Sequence, residues 1–229
     1  MPLSRIQRLI AQRMLDSKRN KPCFYLETRA DTTDLMRMRH RLSKRLGVQI
    51  TSNAFFIHAM ALAATEYPRV VGRFVEADGS TPGDGPVVSI AAHVNVGFAV
   101  NTARGLIVPI VQHAERLSLA EIAEEEKRLT AGARSNTLPL DDLEGETIAL
   151  SNLGAYDIDS FVGIVPPPAG SILAVGKTGP TIVPLDGRPA VRKMVTLSLA
   201  VDHRVAGPEY AARFLQLIVA QLETPDRLI

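Results

Sequence analysis

The sequence predicts one α/β domain with a mixed sheet, on three observations. Stretches of helical and strand periodicity alternate along all 229 residues, the pattern of helices packed against a sheet. Hydrophobic residues make up 46% of the chain and charged residues 22%, enough apolar surface for a sizeable core. No linker, repeat or low-complexity tract divides it.

The elements follow in order. A first helix is expected from about Leu3 to Lys18, with Ile6, Ile10 and Met14 on one face. "CFYLETRAD" reads as a strand, and Asp31 as the cap of a second helix whose apolar stripe is Leu35, Met38, Leu42 and Leu46. Ser52 or Asn53 opens a third helix, closed by Tyr67-Pro68. "EADGSTPGDGP", residues 76–86, is a turn-rich loop. "SIAAHVNVGFAV" and "GLIVPIVQ" are two strands joined by the tight turn at residues 102–105. Ser118 and Glu121 form a capping box, with Leu117 and Ile122 as its hydrophobic staple, for a helix from Leu119 to about Ala131. "ETIALSNLG" is a strand running into a turn. After Pro166-Pro167-Pro168 comes the buried strand "SILAVG". "MVTLSLAV" puts Val195, Leu197, Leu199 and Val201 on one face and small residues on the other. A last helix carries Ala211, Phe214, Leu215, Ile218, Val219 and Leu222.

Charge and composition exclude several classes. A formal charge of +2 is too small and too scattered for nucleic-acid binding. The densest basic stretch, Arg37 to Arg45, alternates with Met38 and Leu42 as a solvated helix face does. A lone cysteine, Cys23, rules out an internal disulfide framework and fits a reducing compartment. The longest apolar run, Ala54 to Ala64, falls short of the roughly 20 residues a membrane span needs. The basic amphipathic N-terminus lacks a signal peptide's apolar core. A cytoplasmic protein is expected, or a mitochondrial-matrix one in a eukaryote.

The five histidines, at 40, 58, 93, 113 and 203, show no metal-ligand spacing, so no metal is expected. His58 reads as a hydrogen-bonded core residue, His40 and His113 as exposed, His93 as mid-strand. His203 differs, because it sits just past an apolar strand, between Asp202 and Arg204. Ser151 has the same address, at the end of its own strand and before Asn152-Leu153-Gly154. Periodicity leaves each residue two readings: a structural turn or a base for His203, a backbone cap or a hydroxyl donor for Ser151. Together they are the minimum set for acyl transfer without a covalent enzyme intermediate. A serine nucleophile is disfavoured, since no G-x-S-x-G elbow is present.

"DHRVAGPEYAARFL" resembles the H-x-x-x-D-G signature of dihydrolipoamide acyltransferases, the core component of 2-oxo acid dehydrogenase complexes. "TIALSNLG" resembles their serine motif, at a matching spacing of 52 residues from Ser151 to His203. "HVNVGFAVNTARGLIVPIV" is similar to their central hairpin, and "PLSRIQRLIAQRM" to the first helix of their catalytic domain. The resemblance covers residues 2–229, with the lipoyl and peripheral-subunit-binding domains of the family expected to be absent.

What the resemblance implies is a chloramphenicol-acetyltransferase-like two-layer sandwich, assembled as homotrimers and further into a 24-mer or 60-mer core. The active site of such a trimer lies between subunits. It moves an acyl group, foremost acetyl, between coenzyme A and a dihydrolipoyl group supplied by a separate domain or chain, with other dehydrogenase-complex subunits as partners. His203 would be the base and Ser151 the oxyanion donor, with Asn152, Gly154, Asp202 and Arg204 supporting them. Gly207 stands where the family has Asp or Asn, and Pro208 where it has Gly. That change removes a side chain expected to pair with a first-helix arginine, Arg5 or Arg8. The alternative it raises is a non-catalytic scaffold. A free-standing acetyltransferase acting on a small amine or alcohol is a third reading. The tail Leu228-Ile229 resembles the family's exposed anchor between trimers.

Overall fold

The helices and strands of the computed structural model, which describes residues 3, 5–76 and 85–229 (the backbone alone for 5 and 6), alternate as the periodicity requires. In chain order they are α1 (Arg5–Asn20), β1 (Cys23–Asp31), α2 (Thr33–Leu46), α3 (Ser52–Glu66), β2 (Gly72–Val75), β3 (Val87–Ile90), β4 (Val96–Phe98), β5 (Val100–Thr102), β6 (Gly105–Ile107), β7 (Ile110–Val111), α4 (Leu119–Ser135), β8 (Ile148–Asn152), β9 (Ser171–Val175), β10 (Gly179–Leu185), β11 (Arg188–Asp202) and α5 (Pro208–Glu223). The main sheet runs β1-β11-β9-β8-β4-β7, with β10 also paired to β11. The β8 pairs with β9 and β4 are parallel and the other pairings antiparallel, so the sheet is mixed.

One face of this sheet carries the main core. Val195, Leu197, Leu199 and Val201 of β11 are buried there with Phe55 and Phe56 of α3 and Phe214 and Ile218 of α5. Each such side chain contributes about 1.5–3 kcal/mol by leaving water. On the opposite face β11 presents Ser198 and Ala200, and a small cluster of Ala149, Ile172 and Ala200 lies under Val165 and Ala169. The chain from 165 to 169 is pinned to α1. Ser17 Oγ donates to the Val165 carbonyl at 2.5 Å and Arg13 to that of Pro167 at 2.5 Å.

Most element boundaries match the periodicity, and the caps differ instructively. Thr51 caps α3, its Oγ accepting from the Ala54 N–H at 3.0 Å, so Ser52 is already helical. Asp31 is not the N-cap of α2, which is Thr32. Asp31 instead takes the Thr33 N–H at 2.9 Å from the end of β1 and pairs with Arg192. The Ser118–Glu121 capping box forms.

The central hairpin is broken. β5 and β6 meet at the expected turn, but β4 and β7 are separate segments, because Pro109 has no N–H to continue the ladder. His93 therefore lies in a bend before β4 rather than in mid-strand. His58 is buried, yet its Nδ1 has no hydrogen-bond partner among the described residues. Residues 77–84 of the turn-rich loop lie outside the described residues. Leu228 is not an exposed anchor: it is 1% exposed and packs into the chain's own core, leaving Ile229 at the surface.

Candidate active site

β11 leads directly into the histidine turn. Asp202 ends the strand 2% exposed. Its Oδ1 accepts from the Arg204 N–H at 3.1 Å and from Nε at 3.0 Å, and its Oδ2 accepts from the other arm of the guanidinium at 2.7 Å. A bidentate pair of this kind is among the stronger hydrogen-bonded units in proteins. The guanidinium also lies 4.3 Å above the Phe74 ring. His203 stands between these two residues, exposed. Its backbone N–H donates to the Pro22 carbonyl at 3.1 Å, and its ring meets the Phe24 ring edge-on at 5.1 Å. The turn is thus held from both flanks, without any contribution from position 207.

Gly207 is the N-cap of α5 in extended backbone, with Pro208 in the first turn. A Cβ placed there would touch nothing within 4 Å. Arg8, the expected partner for an acid at this position, donates instead to the Leu3 carbonyl at 2.9 Å. The Arg5 side chain lies outside the described ones.

Ser151 occupies β8, one residue before the strand ends. The cap in the following turn is its neighbour: Asn152 Oδ1 accepts from the Gly154 N–H at 2.8 Å, and Asn152 Nδ2 donates to Asn53 Oδ1 at 2.8 Å. Ser151 is therefore not spent on capping that turn. Gly154 is required by close approach, since a Cβ there would press on the Gly176 carbonyl at 2.8 Å. Beside this turn is a 450 Å³ cavity lined by Met36, Arg39, Thr51, Phe56, Asn152 and Gly154 among others.

The strand register separates the two groups. Ser151 is level with Ala174 of β9, which is level with Ser198 of β11. His203 lies five residues beyond Ser198, so one chain holds its Ser151 and His203 roughly 19 Å apart by strand rise and spacing. Ser151, Asn152 and Gly154 form one cluster, and Asp202, His203 and Arg204 another. They belong to opposite ends of the sheet.

Two features escaped the sequence reading. Glu146, just before β8, is buried with Oε1 unpartnered, and burial pushes its carboxyl up to about 7 against the pull of Arg13 and Lys21. Gly97 makes room for it, since any Cβ at that position would overlap the carboxylate. Lys21 is held below its usual range by burial, with Asp202 pulling the other way. The second feature is a meeting of His93, His113 and Glu115, whose ligand-capable atoms all lie within 4.8 Å of one another. Strand pairing joins them, which residue spacing does not reveal.

Residues 1–229 match the 2-oxoacid dehydrogenases acyltransferase (catalytic domain) family throughout. The chain belongs to this family. The pyruvate dehydrogenase protein X component of Mus musculus is 34% identical across the whole of this chain, which covers 44% of that protein. The chain spans about half the length of the curated relatives it matches.

Among solved structures, the dihydrolipoamide acetyltransferase of Azotobacter vinelandii superposes with a TM-score of 0.90 at 29% identity, over 100% of this chain and 92% of that one. In that enzyme a serine, a histidine and an asparagine were investigated for their role in the catalytic mechanism. The cubic core of a pyruvate dehydrogenase multienzyme complex gives 0.89 at 30% identity, with the same coverage. Chloramphenicol acetyltransferase, at 15% identity and a TM-score of 0.57 over 92% of this chain and 94% of that one, shares the fold. The two-layer arrangement of this family member is thus the chloramphenicol-acetyltransferase one. No described helix is long and apolar enough to cross a membrane.

Proposed function

We propose that this chain is an acyltransferase that moves an acyl group, acetyl foremost, between dihydrolipoamide and coenzyme A, as the oligomeric core of a 2-oxo acid dehydrogenase complex. The observation that carries the proposal is the His203 turn, a base presented to solvent on a support built by Asp202, Arg204, Pro22 and Phe24. The serine, histidine and asparagine studied in the Azotobacter enzyme are spaced as Ser151, His203 and Gly207 are here. Only the third differs, and the bonds that hold the turn come from Asp202, Arg204 and Pro22.

In the reaction, neutral His203 takes the proton of the coenzyme A thiol as its sulfur attacks the thioester carbonyl of acyl-dihydrolipoamide. A free thiol has a pKa of about 8.5, so little thiolate exists at neutral pH without a base. The Ser151 hydroxyl donates to the oxyanion as the carbon becomes tetrahedral. Collapse breaks the old carbon–sulfur bond, and the departing dihydrolipoyl sulfur takes the proton back from His203. One such oxyanion donor is worth about 2.7–4 kcal/mol of barrier.

The wide separation of Ser151 and His203 supports a site completed between copies, with His203 from one chain and Ser151 from the next in a homotrimer. The hairpin of β10 and β11 offers a surface for such assembly, because the paired Ile182 and Val191 are 73% and 69% exposed. The lipoyl group would arrive on a separate domain or chain. A reducing compartment, cytoplasm or mitochondrial matrix, suits the free Cys23.

The test is transfer from acetyl-CoA to free dihydrolipoamide. Activity that falls at least about 10²-fold in His203→Ala, with the oligomer intact, supports the reading. An inactive wild-type chain that still assembles selects the scaffold alternative.

A further inference from the structure

Away from the candidate active site, the outer edge of the sheet brings together side chains with no part in acyl transfer. Pairing of β4 with β7, extended by the Ala114 N–H donating to the Val94 carbonyl at 2.9 Å, lays the segment before β4 alongside the turn after β7. His93 and His113 thereby meet ring edge to ring face, with centroids 4.1 Å apart. His93 Nδ1 is 3.0 Å from Glu115 Oε1. Because a carboxylate only accepts, that nitrogen carries the proton.

We propose that His93, His113 and Glu115 form a binding site for a divalent transition-metal ion of the zinc class, one per chain. The donor set is two imidazoles and one carboxylate, which suits zinc, cobalt, nickel or copper and not magnesium or calcium. Three protein ligands leave a fourth tetrahedral position for water. Metal–ligand bonds of about 2.0–2.2 Å put tetrahedral ligands roughly 3.4 Å apart. The His93–Glu115 pair is already close to that spacing. The ligand atom of His113 lies within 4.8 Å of the other two, and its exposed ring would close the remaining distance on binding. On binding, the ion takes the place of the His93 Nδ1 proton, which leaves to solvent, and bridges Nδ1 to Oε1.

The surroundings prepare this geometry. Glu115 Oε2 accepts from the Val94 N–H at 3.0 Å, which leaves Oε1 as the ligand and fixes its direction. Burial alone would raise the Glu115 carboxyl. Hydrogen bonds from His93 and from the backbone N–H groups of Glu115 and Val94 hold it below the usual range instead. His113 sits at φ 50°, a left-handed conformation uncommon outside glycine, and its N–H donates to Asn95 Oδ1 at 3.0 Å. Arg116 opposes a cation here, its Nε 3.6 Å from Glu115 Oε1, and its side chain is exposed to solvent. The site is three strands from β11, roughly 14 Å in strand spacing, so it is separate from His203.

The experiment is calorimetric titration of the chelator-treated full chain with zinc chloride, and with magnesium chloride as control. One zinc per chain is expected, with no response to magnesium. His93→Ala and His113→Ala should each weaken binding at least tenfold, while Arg116→Ala strengthens it. His113 is exposed, so that variant keeps the fold, and zinc should raise the melting temperature of wild type but not of His113→Ala. Absence of zinc uptake by the wild type, or uptake that both histidine variants leave unchanged, overturns the proposal.

Discussion

Asp202 and Arg204 grip each other across His203, the guanidinium giving both arms to a buried carboxylate at 3.0 and 2.7 Å. With Asp202 Oδ1 also accepting from the Arg204 N–H at 3.1 Å, the pair braces the backbone on either side of His203, and we propose that this positions the histidine. Arg204→Lys keeps a cation but loses the fork. It should lower acyl transfer about tenfold or more through kcat, with the pH dependence of kcat/KM unmoved. Arg204→Ala leaves the buried Asp202 carboxylate without its guanidinium partner, which should also destabilise the chain by about 3 kcal/mol in chemical denaturation.

Gly207→Asp tests whether the missing motif residue matters. The backbone is extended and the space is open, so the fold should accept it, with a gain of a few tenths of a kcal/mol as a helix N-cap. The histidine turn is already held, and Arg8 is engaged with the Leu3 carbonyl. Transfer is therefore expected to change less than tenfold. A larger rise in kcat at equal oligomer content would mean that the turn is under-supported as it stands.

Glu146 gives a pH signature in stability. Its folded pKa of about 7 exceeds the ordinary carboxyl value, so folding takes up a proton between these limits. The stability that Glu146 allows is greatest below about pH 4.5 and is lost as pH rises through 7, to the extent of about 3 kcal/mol. Glu146→Gln should match wild type near pH 5 and melt higher at pH 8. Parallel melting curves for the two proteins would contradict the burial argument.

Leu228 belongs to the core of its own chain. Leu228→Ala should cost about 2–5 kcal/mol by the cavity it leaves, visible as a lower denaturation midpoint. Removing residues 224–229 should therefore destabilise the subunit itself. Smaller assemblies of unchanged subunit stability would instead restore the tail as an anchor between copies.

The sequence was most legible where local chemistry decides structure. Alternating Val195, Leu197, Leu199 and Val201 marked a buried strand, and Ser118 with Glu121 marked a helix start; both are there. Asp186-Gly187, both at positive φ, carries the two-residue turn between β10 and β11. This hairpin signal was masked by Pro180, Pro184 and Pro189, which edge pairing tolerates. What stayed hidden depends on pairing between distant segments. Glu146 meets Gly97 through β8 and β4, and His93 meets His113 through β4 and β7. Asn152 displaced Ser151 as the turn's cap because only its amide reaches both the Gly154 N–H and Asn53.

Assembly of the site from two chains, His203 of one and Ser151 of its neighbour, can be read out by subunit mixing. His203→Ala and Ser151→Ala are each expected to be nearly inactive alone. When the two are unfolded together and reassembled in equal amounts, about a quarter of the sites in a cyclic oligomer combine an intact histidine with a neighbour's intact serine. Acyl transfer from acetyl-CoA to dihydrolipoamide should then return to about a quarter of the wild-type rate. If the mixture is no more active than its parents while wild type survives the same treatment, the site does not lie between chains.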